Sequence, residues 1–184
     1  QRLTYFMTLL LVTLLIGCQS AGQNQEATEA GDEAPALTGQ SGVQDDVSAN
    51  DIVKIAVGSK DHTTLVAAVQ AANYVDVLAN AGPFTVFAPT NAAFEKLPEG
   101  TVEGLLKPEA IDDLANVLEY HVYVGVIKTE QMKDGQKLNQ VNLKDVEITI
   151  VDGEYFVNGS KILATVPASN GIVYVIDDVL LPPG

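Results

Sequence analysis

Few side chains in this 184-residue chain are placed to do chemistry. There are two histidines, His62 and His121, and they stand at no metal-ligand spacing. Ser59, Lys60, Asp61 and His62 include the residue types of a hydrolytic triad, but crowded at a helix start. Triad partners meet in space rather than in a row, and capping is the better use of Asp61. No Gly-x-Ser-x-Gly elbow and no glycine-rich phosphate loop occurs. Asp177 and Asp178 form a carboxylate pair without the spacing of an EF-hand loop. These observations predict a chain that is not an enzyme and holds neither metal nor cofactor.

The elements that must position these residues show in the apolar pattern. Residues 84–97, FTVFAPTNAAFEKL, open after a Gly82-Pro83 breaker. β-Branched and aromatic residues from Phe84 to Ala88 predict a short buried strand, which Pro89 ends because it cannot donate to a ladder. Thr90 or Asn91 caps the following helix, whose Phe94 and Leu97 share one face with the core, as Phe87 does from the strand. Upstream, Ile52, Val53, Ile55 and Ala56 predict a short helix. Asp61 or Thr63 caps a second, with Leu65, Val66 and Val69 inward, and residues 75–78 make one more turn. Pro108 suits the first position of a longer helix. There Ile111, Leu114, Leu118 and His121 form one stripe, leaving Tyr120 off it and partly exposed. The last third reads as β. Val146, Ile148 and Ile150 alternate, and Asp152-Gly153 and Asn158-Gly159 are hairpin signals between ITIV, EYFV and KILATV. Asn170-Gly171 opens a final strand, residues 172–176. Helices first and strands after give an α+β class.

The start of the chain differs in character. Arg2 precedes an apolar run over residues 5–16, broken only by Thr8 and Thr13 and followed by Leu15-Ile16-Gly17-Cys18. The run is short of the ~20 residues a spanning helix needs and has the make-up of a secretory signal. Leu-Ile-Gly-Cys resembles a bacterial lipobox, which implies cleavage before Cys18 and lipidation of its sulfur; stable anchoring takes more than one acyl chain. The alternative is an ordinary secretory leader with an incidental cysteine. Gln19 after the cysteine favours outer-membrane sorting by analogy with known rules. Residues 19–50 carry six acids, no base and almost no large apolar residue, the composition of a self-repelling tether. The expected organisation is therefore a signal peptide over residues 1–17, a lipidated cysteine and acidic tether over 18–50, and one domain over 51–184. The formal net charge of −14 repels phosphate backbones, which excludes nucleic acid as an expected partner. The acidity suits solubility or a high-salt habitat.

Residues 84–97, residues 118–125 (LEYHVYVG) and residues 170–182 (NGIVYVIDDVLLP) together resemble the fasciclin domain family, over roughly the last three-quarters of the chain. The resemblance implies a wedge of about seven β-strands in two sheets with several helices along one side. It also implies an extracellular adhesion or binding module. Tyr120-His121 matches the Tyr-His pair that the family ties to integrin contact in animal members, which makes it the candidate binding surface, although His121 sits on the apolar stripe. Phe87, Thr90, Asn91, Phe94 and Asp177 fall in the structural motifs. The family pattern Asn-Gly-x-x-His-x-Ile-Asp is altered here, with Tyr174 where the histidine stands. The expected function is adhesion or matrix interaction at a bacterial cell envelope, probed through protein or polysaccharide partners and held to the membrane by a lipid anchor. The alternative is an apolar carrier of lipid or pigment, which an exposed apolar groove near Phe87 and Phe94 would favour.

Overall fold

The structure, a computed structural model, describes residues 50–183. Cys18, the leader and the acidic segment up to residue 49 lie outside the described residues. Three short helices come first, α1 (Ile52–Val57), α2 (Thr63–Ala71) and α3 (Val75–Ala79). Strand β1 (Phe84–Pro89) follows, then α4 (Asn91–Glu95), α5 (Thr101–Leu105), α6 (Ile111–Tyr120) and β2 (Val122–Val124). The rest is β: β3 (Gln136–Asn139), β4 (Asp145–Val151), β5 (Glu154–Val157), β6 (Ser160–Ala168) and β7 (Gly171–Ile176).

The seven strands run in one hydrogen-bonded order, β2-β1-β7-β6-β5-β4-β3. The succession bends where β6 changes partner. Ser160 and Lys161 pair with β5, whereas residues from Ile162 onward pair with β7, and a bulge between Ile162 and Ala164 marks the change. The edges also meet: just past β3, the Val141 N–H donates to the Val122 carbonyl at 2.9 Å, so the sheet nearly closes on itself. The first and last strands are the parallel pair, with Phe84 opposite Gly171 and Pro89 opposite Ile176.

Strands β1 and β7 are covered on both faces, which explains their nearly continuous apolar sequences. Side chains alternate across a strand. Val86 and Ala88 of β1, with Val173 of β7, pack under the helices against Ile52, Leu65, Val69, Leu114 and Leu118. Phe87, Ile172, Tyr174 and Ile176 point the other way, into the sheet's interior with Val146, Ile148 and Val157. The two predicted hairpins form as expected. Asp152-Gly153 and Asn158-Gly159 all take positive φ, between 47° and 83°, the geometry of two-residue turns that match strand twist. The β1–β7 contact admits no side chain at Gly171, where a Cβ would stand 2.0 Å from the Phe84 carbonyl oxygen.

Candidate functional site

Tyr120 and His121 end α6, and both are buried. Tyr120 is the correction here: expected partly exposed, it is only 2% accessible. A single apolar stripe suits a helix covered on one face. At its C-terminal turn α6 is covered on two, since Leu118 belongs to the helix-side core and Tyr120, about 200° further round, to the sheet interior. The Tyr120 hydroxyl donates to the Asp145 carbonyl (2.9 Å) and accepts from Asn158 Nδ2 (2.8 Å). His121 Nδ1 lies 2.7 Å from the Val117 carbonyl, and its Nε2 accepts the Leu180 N–H at 3.0 Å. An imidazole that donates from one nitrogen and accepts at the other is neutral. Burial lowers its pKa to about 4, against a smaller raising effect of the Val117 carbonyl. The pair therefore ties α6 to β4, to the β5–β6 turn and to the C-terminal segment, and offers no contact surface. Ile111, placed on the same stripe, is 38% exposed, because Pro108–Ala110 forms a separate 3-10 turn and α6 starts only at Ile111.

The other motif residues divide similarly between neighbouring elements. Thr90 caps α4, its hydroxyl accepting the Ala93 N–H at 3.3 Å. Asn91 instead serves α2: its Oδ1 accepts the Thr64 N–H at 3.0 Å, while Nδ2 donates to the Lys60 carbonyl and Thr63 Oγ1. Neither Asp61 nor Thr63 supplies the expected α2 cap. Ser59 Oγ accepts the Asp61 N–H and lies 2.7 Å from His62 Nδ1. His62 is buried, which lowers its pKa against the smaller raising effects of the Asp61 charge and the Ala88 backbone, and its Nε2 is without a hydrogen-bond partner. Phe87 is wholly buried and stacks on Tyr174 at 5.8 Å between ring centroids. Tyr174 donates its hydroxyl to the Ile127 carbonyl at 2.8 Å, and burial raises its pKa. Phe94 packs against the helix-side core as expected but is only half-buried, and Ala93 is the fully buried residue of α4. Asp177 Oδ1 accepts the Lys161 N–H (2.7 Å) and the Ser160 hydroxyl (3.1 Å). Asn170 opens the final strand with Gly171, as the sequence predicts, and does more. It is buried, accepting the Ile52 N–H and donating to the Leu78 and Asn80 carbonyls, so one side chain joins α1, α3 and β7. Composition carries no sign of that role.

Tyr74 and Glu119 form a further link, between the start of α3 and α6, with the phenol donating to the carboxylate. That bond, then burial and the negative charge, push the Tyr74 pKa up to about 12. Among the described residues no group of three or more His, Cys, Asp or Glu is placed to hold a metal ion, and no helix is long and apolar enough to cross a membrane.

Open space is unevenly distributed. Beneath α1–α3 an apolar cavity of about 40 Å³, lined by Ile52, Leu65, Tyr74, Val86 and Val173 among others, has room for a few water molecules. A second, of about 20 Å³, lies among Leu65, Phe94, Leu97, Val102, Leu114 and Val179. By contrast, a cleft of about 510 Å³ opens to solvent between α4 and α5. Its apolar residues are Phe94, Leu97, Pro98 and Val102, and Glu95, Glu99 and Glu103 bring carboxylates to it.

Comparison with known proteins gives concordant results. The model of the fasciclin domain matches residues 60–182. The chain is 47% identical over 137 residues to protein sll1483 of Synechocystis, covering 74% of this chain and 76% of that protein. It is 38% identical over 114 residues to the cell surface glycolipoprotein MPB83 of Mycobacterium bovis, covering 60% of this chain and 49% of the relative. Among solved structures it is similar to a FAS1 domain pair from the insect cell adhesion molecule fasciclin I, with a TM-score of 0.62 at 17% identity over 72% of this chain. The chain spans about half, 51%, of that domain pair.

Proposed function

The chain belongs to the fasciclin domain family, and from that premise we propose that it is a binding module of a bacterial cell envelope, mediating adhesion or matrix interaction rather than catalysis. In this reading Cys18 carries the lipid anchor, the acidic segment acts as a tether, and the partner is a protein or polysaccharide of the envelope or matrix. The observation that carries it is the location of open space. The outer cleft has about 510 Å³, whereas the apolar cavities inside have about 40 and 20 Å³. A carrier of lipid or pigment encloses most of its cargo. Phe87 is sealed against Tyr174. The groove that does exist beside Phe94 is open to solvent and lined by Glu95, Glu99 and Glu103 as well as by apolar residues, which suits a polar partner better than an enclosed apolar cargo. Similarity to a cell surface glycolipoprotein supports placement at the cell surface. Ser59 and His62 touch, but the hydroxyl also accepts the Asp61 N–H and no carboxylate orients the ring, which supports a structural role for both. The test is attachment. Beads coated with the full chain should be retained by envelopes of the host above beads coated with an unrelated protein of equal charge. Equal retention of the two overturns the proposal.

A further inference from the structure

The helix α5 is only partly packed: Leu105 lies against the helix-side core, and the rest of its apolar side is half-open. It carries Val102 and Leu105, with Leu106 at its C-cap, yet none of its residues is buried. Leu106 is 36% exposed. Its N-cap is Gly100 in a left-handed conformation, without a capping side chain. Apolar residues normally bury one face of such a helix. Here part of that face forms a wall of the cleft, with Phe94 and Leu97 opposite and the 20 Å³ cavity behind the same residues. The cleft residues include three glutamates and no lysine or arginine. Lys96, on α4's C-cap, faces elsewhere: its Nζ is 2.9 Å from Asp178 Oδ1 and 2.7 Å from the Asp177 carbonyl.

We infer that the cleft between α4 and α5 is a docking site for a basic, amphipathic segment of a partner protein. An apolar side chain of that segment packs on Phe94, Leu97 and Val102, and flanking lysines or arginines meet Glu95, Glu99 and Glu103. Charge complementarity selects this occupant: an apolar floor alone would take any apolar chain, but the carboxylates repel acidic ones. The shape selects a peptide, since an open cleft suits a chain laid across it, whereas small-molecule sites enclose most of their ligand. The inference rests on the reading of this domain as a binding module and names the chemistry of its partner.

The test uses the full chain and short capped peptides of alternating Lys and Leu, Lys and Ser, or Glu and Leu. Titration should show the Lys/Leu peptide binding most tightly, with NMR shifts centred on Phe94, Leu97 and Val102. The double substitution Glu99→Gln, Glu103→Gln should weaken it about fivefold, because two exposed ion pairs are lost and each contributes modestly. Rising salt should do the same. Thermal unfolding of the double variant should match the wild type, since both carboxylates are exposed. The assignment falls if the Glu/Leu peptide binds equally, if the shifts lie elsewhere, or if the double variant binds unchanged. Bead attachment separates this failure from that of the broader reading. Attachment that survives in the double variant removes the cleft but keeps adhesion. Peptide binding at the cleft without attachment of wild-type beads keeps the cleft and removes adhesion.

Discussion

His121 makes folding sensitive to acid. Folded, its pKa stands at about 4 because the ring is buried; unfolded, it returns to about 6.5. Between those values the unfolded chain binds the extra proton, so stability is complete above about pH 6.5 and is lost as pH falls toward 4. The whole contribution is on the order of 3 kcal/mol, and His62, also lowered by burial, acts in the same direction. Denaturant unfolding at pH 7 and pH 4.5 should therefore show a large loss in the wild type and a smaller loss in His121→Asn, which starts from a lower stability at pH 7. An equal loss in both would remove His121 as the cause. The two phenylalanines separate in the same assay. Phe87→Ala should cost roughly 3–5 kcal/mol, as for a fully packed ring, and Phe94→Ala clearly less, because that ring is half open to the cleft. A Phe94→Ala cost equal to that of Phe87→Ala would place Phe94 in the core after all.

Between elements, the polar side chains that organise the fold are those reaching across from one element to another. Asn91→Ala should destabilise by about 1–2 kcal/mol through loss of the α2 cap, and Asp61→Ala by less than about 0.5 kcal/mol, as judged from unfolding midpoints. The reverse ranking would restore Asp61 as the cap. Asn170→Ala strips bonds from Ile52, Leu78 and Asn80 at once and should cost more than either, since it leaves buried backbone groups without partners. These assignments mark where sequence reading stops. Strand β1, the hairpins at Asp152-Gly153 and Asn158-Gly159, and the apolar face of α2 were legible because each is set by local period and turn chemistry. The short strands β2 and β3 were not, because at three and four residues they hold too little alternation to show a period. Asn91 and Tyr120 were misjudged for a common reason: their partners lie 27 and 25 or more residues away, beyond any local pattern. The cleft was equally hidden, since Glu95, Glu99 and Glu103 read as solvated charges until α4 and α5 bring them around one opening.

For the chain as a whole, the described domain is fastened at its first residues. The Asn50 carbonyl accepts the Ser169 N–H at 3.0 Å, Asp51 caps α1 through the Lys54 N–H at 2.8 Å, and the Ile52 N–H is held by Asn170. Backbone tied in this way resists proteases, which cut where segments open easily. The composition of residues 19–50 makes the opposite expectation for the segment before it. With Cys18 lipidated, brief proteolysis of membranes bearing the full chain should release a soluble, folded fragment whose N-terminus lies near residue 50. The acylated remnant should stay with the lipid. Cys18→Ser should leave the uncut chain outside the membrane fraction or unprocessed, with no acyl mass on the intact protein. Mass spectrometry of both fractions decides between the parts of the proposal. A released fragment starting well inside α1 would show that the fastening at Asn50 and Asp51 does not hold. A wild-type chain with no acyl mass would remove the anchor, and the domain would then have to reach its partners as a secreted protein.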